Sequence, residues 1–283
     1  MRNSLERTIA AADQRLVVVA PGQGPIPDFF ENVPSDDAMR DELVSAIQRL
    51  RGAVYLRDGA ISNDDLTSDG RHVTREDERA WHLLVLDGHE IAACVWYLQH
   101  DNVESIEDLR VRNCPLAGDD GWRQTLRKAV EWELTRARCA RLHYAELGGW
   151  AVAPSRRNTG EGLILALAAY SLGRAFGGAL GLTTATVRHA SSTILRRLGG
   201  ASLEADGVAV PPYYDPRYRC EMELLRFDSR SPNPRYDRAI DVLRRQLARV
   251  PVVCCGVQDA RPLQANAAAL VWQPVAATGG AAA

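Results

Sequence analysis

Residues 142–162 read LHYAELGGWAVAPSRRNTGEG and lead into an apolar segment over residues 163–176. A strand carrying one carboxylate, Glu146, and a Gly148-Gly149 irregularity runs into a basic turn, Arg157-Asn158-Thr159-Gly160-Glu161-Gly162, and then into a helix. Glycines let a backbone approach an anion closely. The first N–H groups of a helix have no partner within it, and its dipole favours negative charge at that end. In outline this is a pyrophosphate cradle, and the strand-turn-helix context is what lifts such a motif above chance.

Upstream of this stretch, residues 81–86 and 90–98 are apolar runs flanking Asp87-Gly88, a pattern that predicts a hairpin of two central antiparallel strands. Asp119-Asp120 predicts a helix start, with Trp122, Leu126, Val130 and Leu134 at helical spacing and an end near Arg138. Earlier in the chain, residues 15–20 read as a strand closed by a Pro-Gly turn. Residues 34–37 then cap a helix with Met39, Leu43, Ile47 and Leu50 on one face, expected to stop at Gly52. Residues 53–57 read as a further strand, and residues 62–78 as a long polar loop of the kind that often carries function.

Downstream, the helix after the turn is nearly all apolar, which predicts cover on most sides and a stop at Gly177-Gly178. A strand over 179–187, a short helix over 191–198, a stiff aromatic loop over 211–216 and a strand over 220–227 follow. Asn233-Pro234 opens an amphipathic helix with Ile240, Leu243 and Leu247 in register, and residues 251–255 form a last strand candidate. The alanine- and glycine-rich tail from Gln264 reads as disordered, with Trp272 able to dock locally.

A chain of 283 residues that is 46% hydrophobic and 25% charged has the composition of an ordinary globular protein. A formal net charge of −2 argues against a broad nucleic-acid footprint, so any basic site is local. No apolar run approaches the length of a membrane span or a signal peptide, and the expected location is cytoplasmic. The six cysteines form no C-x-x-C, the histidines show no ligand spacing, and no G-x-S-x-G elbow occurs. Neither a metal site nor a hydrolase-type nucleophile is expected.

The element order predicts a single mixed α/β sheet, mostly antiparallel and covered by helices on both faces. Residues 1–35 form an N-terminal arm, 36–230 the domain, 231–263 a helix-and-strand extension and 264–283 the tail. With Arg157-x-x-Gly160-x-Gly162 between a strand and a helix, and a later short helix ending Leu195-Arg196-Arg197-Leu198-Gly199, the chain resembles the thioester-binding core of the GNAT acyltransferase superfamily. Within it, the chain resembles the branch of acyl-homoserine-lactone autoinducer synthases and N-acyl amino acid synthases. These carry a helix before the central strand and a segment Glu-x-Ser-Arg-aromatic-Ala-Val. Here Glu146, Trp150 and Ala151-Val152 match that segment, whereas Gly148-Gly149 stands in place of Ser-Arg. Trp96-Tyr97 stands where those families often carry an arginine late in the second hairpin strand. Both departures concern the homoserine-lactone acceptor and leave the thioester cradle intact.

The resemblance implies an acyl-CoA or acyl-carrier-protein donor used as a co-substrate, with no permanently bound cofactor. The donor would lie against Trp150, Val152, Arg156, Arg157, Asn158, Thr159, Gly160, Glu161 and Gly162. Acyl transfer to an amine needs a base for the amine and a proton for the departing thiolate. Glu146 is the base candidate, and pairing with an arginine such as Arg141 is its structural alternative. Strand alternation places Glu146, Gly148 and Trp150 on one face, and Gly148-Gly149 suits a bulge that splays the strand from its neighbour. The tyrosine acid of many acetyltransferases falls at Leu195 and is excluded, which leaves Tyr213, Tyr214 and Tyr218. The expected activity is acyl transfer to the amine of an amino acid or similar small molecule. A small-acyl acetyltransferase and a non-catalytic thioester-binding regulator are the alternatives.

Overall fold

The apolar runs assemble into one nine-stranded sheet in a computed structural model that describes residues 15–101, 103–188 and 191–256. The N-terminal half comprises β1 (Leu16–Val19), α1 (Asp37–Arg57), β2 (Trp81–Asp87), β3 (Glu90–His100), α2 (Arg123–Ala140), β4 (His143–Val152) and α3 (Glu161–Ala175). It continues with β5 (Ala179–Thr186), α4 (Ser191–Leu198), β6 (Ala201–Ser202), β7 (Glu204–Ala205), β8 (Val208–Ala209) and β9 (Tyr213–Asp215). The last elements are β10 (Cys220–Asp228), α5 (Pro234–Leu247) and β11 (Val252–Val253). The sheet runs β11-β1-β2-β3-β4-β5-β10-β6, with β9 on β10, while β7 and β8 form a separate ribbon. Only β1 with β11 and β4 with β5 are parallel. Within the arm expected at 1–35 and the extension expected at 231–263, β1 and β11 form one edge of the sheet and α5 packs on α3.

Helices cover both faces. The Leu- and Ala-rich α3 buries nearly all its length between the sheet and α5, with Ser171 Oγ donating to the Ile240 carbonyl at 2.9 Å. On the opposite face α1 packs over β1 to β4 and α2 over β4 and β5. The expected hairpin is β2-β3, turned at Gly88 with φ +60. Asn233 caps α5 by accepting from the Arg235 N–H, with Pro234 at the first helical position.

Three local expectations are corrected. Gly52 does not stop α1, and residues 53–57 are its last turns and not a strand. The buried face of α1 continues in helical register through Leu43, Ile47, Arg51 and Val54. Gly52 is small because the 62–78 loop crosses it: a Cβ there would lie 2.5 Å from the Gly70 carbonyl oxygen. The aromatic loop expected at 211–216 contains β9, paired to β10 with Tyr213 opposite Met222. β6, β7 and β8, each two residues long, carry too little pattern to be read from sequence. The tail expected from Gln264, Trp272 included, lies outside the described residues.

Candidate active site

β4 pairs with β5 from His143 to Leu147 and then leaves it. At the parting point the Thr183 hydroxyl donates to the Leu147 carbonyl at 3.1 Å. β4 continues along β3, but with a shifted register: Gly148 faces Trp96, whereas Ala151 faces Cys94. Gly149 and Trp150 thus oppose the single residue Val95, the count of a β-bulge. Trp96 explains why two glycines stand here. Its indole lies across both, so a Cβ on Gly148 would come within 2.3 Å of the ring and one on Gly149, at φ +62, within 2.2 Å. Behind the bulge, the Cys94 thiol donates to the Gly149 carbonyl. The Arg51 guanidinium stands 3.2 Å from where a Gly149 side chain would begin. Arg51 forms a buried two-pronged pair with Asp77 of the 62–78 loop, at 2.9 and 2.7 Å. Burial alone lowers the affinity of that guanidinium for its proton, but Asp77 outweighs burial and holds it above its ordinary value.

The expected splay is present, but the expected face is not. Glu146 lies on the α2 side of the sheet, while Trp150 and Val152 pack against the α3 cluster and Ala151 against the α1 cluster. The extra residue in the bulge inverts the alternation, so Glu146 and Trp150 point to opposite faces.

A cavity of about 760 Å³ fills the splay between β4 and β5. One end of it is the turn before α3. Asn158 at φ +65 and Gly160 at φ +102 fold the chain back, and the Ile164 N–H bonding the Gly160 carbonyl at 3.0 Å closes the first helical turn. The N–H groups ahead of Ile164 therefore have no carbonyl within α3. Gly162 faces the Trp150 indole at ordinary contact distance, so a larger side chain there enters the cavity wall. Trp150, Val152, Arg156, Arg157, Asn158, Gly160 and Gly162 all line the cavity. Thr159 and Glu161 do not: the Thr159 hydroxyl bonds Glu161, whose carboxylate pairs with Arg15 at 3.1 Å. Burial pushes the Glu161 carboxyl up, but Thr159 and Arg15 outweigh it and hold the group below its usual range. Arg156 pairs with Asp87, and Arg157 with Asp58 at 2.6 Å.

At the other end Glu146 is 4% exposed and lines the cavity. It accepts the Arg110 N–H at 3.0 Å and the Val111 N–H at 3.3 Å, and lies 3.0 Å from His100 Nε2. Arg141, the alternative partner, is instead the left-handed cap of α2. Glu146 thus holds the 3₁₀ turn Arg110–Asn113 in place, and that turn lays the Arg110 guanidinium over Trp96, 5.0 Å from the ring centroid. Arg110 also pairs with Glu76 at 3.3 Å. A guanidinium from outside the strand thus lies beside β3. Sequence reading missed Arg110 and His100. Neither belongs to a motif, and His100 reaches Glu146 only through the β3-β4 register that sets His100 opposite Tyr144.

Of the tyrosines, Tyr213 and Tyr218 line the cavity, whereas Tyr214 is exposed on the other side of β9. Burial pushes the Tyr213 phenol well above its ordinary range, so it keeps its proton and is a weaker acid than an exposed tyrosine. Leu195 is buried in α4. Among the described residues, no group of three or more His, Cys, Asp or Glu could hold a metal ion, and no helix is long and apolar enough to cross a membrane.

No protein-family model and no curated protein sequence matches the chain. Solved structures do. A CoA-dependent acyl-homoserine lactone synthase, BjaI, solved with SAM and isopentyl-CoA, is similar at a TM-score of 0.51 and 14% identity, over 87% of this chain and 95% of its own. MesI, another CoA-dependent acyl-homoserine lactone synthase, gives 0.46 and 16% over 85% and 98%. FeeM, an N-acyl amino acid synthase from uncultured soil microbes, gives 0.44 and 13% over 70% and 89%. With the sheet order, the β4-β5 splay and the turn before α3 in view, the likeness to BjaI shows that this chain has the GNAT-type fold.

Proposed function

We propose that the chain is an N-acyltransferase that moves an acyl group from a thioester, acyl-CoA or an acyl carrier protein, to the amine of an amino acid or similar small molecule. The observation that carries this reading is the single cavity joining the α3 entrance, the β4-β5 gap and Glu146. The donor's phosphates lie at the α3 N-terminus beside Arg157, and its pantetheine arm runs through the gap against Trp150 and Val152. Its acyl carbonyl reaches the bulge. The amine enters from the Trp96 and Arg110 side, where a guanidinium suits a carboxylate on the acceptor. As the amine nitrogen bonds the acyl carbon, its proton passes to Glu146. The carbon–sulfur bond then breaks, and the half-buried Tyr218 at the cavity wall protonates the thiolate. That BjaI was solved with isopentyl-CoA supports a CoA donor.

One observation favours a second reading, thioester binding without turnover: Glu146 already has three partners. Native mass spectrometry of the protein from cells and calorimetric titration with acetyl-, octanoyl- and palmitoyl-CoA, followed by an amino-acid screen, test the proposal. Binding of an acyl-CoA with product formation is expected. Preference for acetyl-CoA selects a small-acyl acetyltransferase. Binding without product for any amine selects the regulator, and no binding to CoA or carrier thioesters overturns the donor assignment.

A further inference from the structure

Three cavity-lining residues meet at the donor end although no motif connects them. Asp58 follows the last turn of α1, Arg157 stands in the turn before α3, and Arg188 follows β5. Arg157 donates to Asp58 Oδ2 at 2.6 Å, and Arg188 donates to the Asp58 backbone carbonyl. The contact ties α1 to both sides of the splay.

Asp58 is badly placed by its own helix. It caps the C-terminus of α1, where the helix dipole is negative and repels a carboxylate. Its side chain is nevertheless only 14% exposed, and its carboxylate pairs with Arg157 across the cavity, while Arg188 bonds its backbone carbonyl. A carboxylate and a phosphate use the same guanidinium N–H groups, and Arg157 cannot serve both fully.

We propose that Arg157 and Arg188 form one phosphate-binding pair for the donor, and that Asp58 is its internal competitor, displaced when the donor's phosphates enter. This rests on the donor assignment above and adds Arg188, which lies outside the turn motif, to the donor site. The nearby Arg156 is engaged by Asp87 and does not relieve the competition. A donor fragment without phosphates has nothing to exchange for Asp58 and gains nothing from its loss.

Calorimetric titrations of the parent, Asp58→Asn and Arg188→Gln with CoA, inorganic pyrophosphate and pantetheine test this. Asp58→Asn is expected to bind CoA and pyrophosphate about three- to tenfold more tightly, and Arg188→Gln to bind CoA weaker by about the same factor. Pantetheine affinity stays the same in all three. Unchanged or weaker CoA binding by Asp58→Asn, with parent-like CoA binding intact, overturns the competitor and leaves the donor assignment standing. If Asp58→Asn fails to fold, unchanged CoA affinity in Arg188→Gln overturns the pair. If none of the proteins binds CoA or pyrophosphate, the phosphate pair and its competitor both fall, and binding of carrier-protein thioesters then decides the donor assignment.

Discussion

The two ends of the cavity are built in opposite ways. The proposed donor end is built mainly from one continuous segment, residues 150–162, which supply two side chains, a basic turn and a helix entrance in chain order, with Asp58 and Arg188 joining at the turn. The proposed acceptor end is assembled from β3, the Arg110–Asn113 turn and β4, with the 62–78 loop behind it. A site made by one segment depends on local backbone geometry. A site made by several depends on buried contacts that fix their mutual positions, so the two ends differ in what breaks them.

The largest expected effect tests whether the acceptor end carries chemistry. Glu146→Gln should lower turnover about 10²–10⁴-fold while donor affinity stays within about a factor of two, measured by steady-state kinetics and calorimetry. Parent-like turnover removes Glu146 from the reaction. Next in size, Asp77→Ala leaves Arg51 buried without its partner behind Gly149 and should cost about 3 kcal/mol of stability in denaturant unfolding. A loss under about 1 kcal/mol makes the acceptor end less dependent on that buried pair than the geometry implies.

The donor end should break without unfolding. Arg157→Ala combined with Gly162→Val removes a charge and adds bulk beside Trp150, and CoA affinity should fall roughly tenfold or more with the melting temperature little changed. Unaltered affinity contradicts phosphates at this turn.

The smallest effect concerns the prop outside the cavity. The Glu161 carboxyl is held below its ordinary pKa, so its contribution is present in full above the unfolded-state value, about 4.3, and is lost as the pH falls through the lower folded value. Arg15→Gln should lower stability by less than about 1 kcal/mol at pH 7, and the deficit should shrink below about pH 4. A deficit that persists in acid points to lost packing instead of the ion pair.

Legibility followed the same division. The turn before α3, the β2-β3 hairpin and the apolar cover on α3 were readable because each depends on residues a few positions apart: glycines at positive φ, an Asp-Gly pair, a helical run of leucines. Gly52 misled because the usual local meaning of glycine after a helical run is a stop, and here a loop crossing the helix accounts for it. Strict alternation puts Trp150 on the wrong face because it holds only without a bulge, and the bulge accommodates Trp96, more than 50 positions away in the chain.

The sequence by itself determined the strand-turn-helix segment, the mixed sheet and the placing of Glu146 on the strand before the turn, since hydrophobic period and turn chemistry are local properties. Only the tertiary structure decided what Glu146 touches, how its carboxylate holds the turn that carries Arg110, and which carboxylate holds Arg157. Those contacts join segments 35 to 99 residues apart, and their geometry is set by strand register and side-chain packing, which no local pattern encodes.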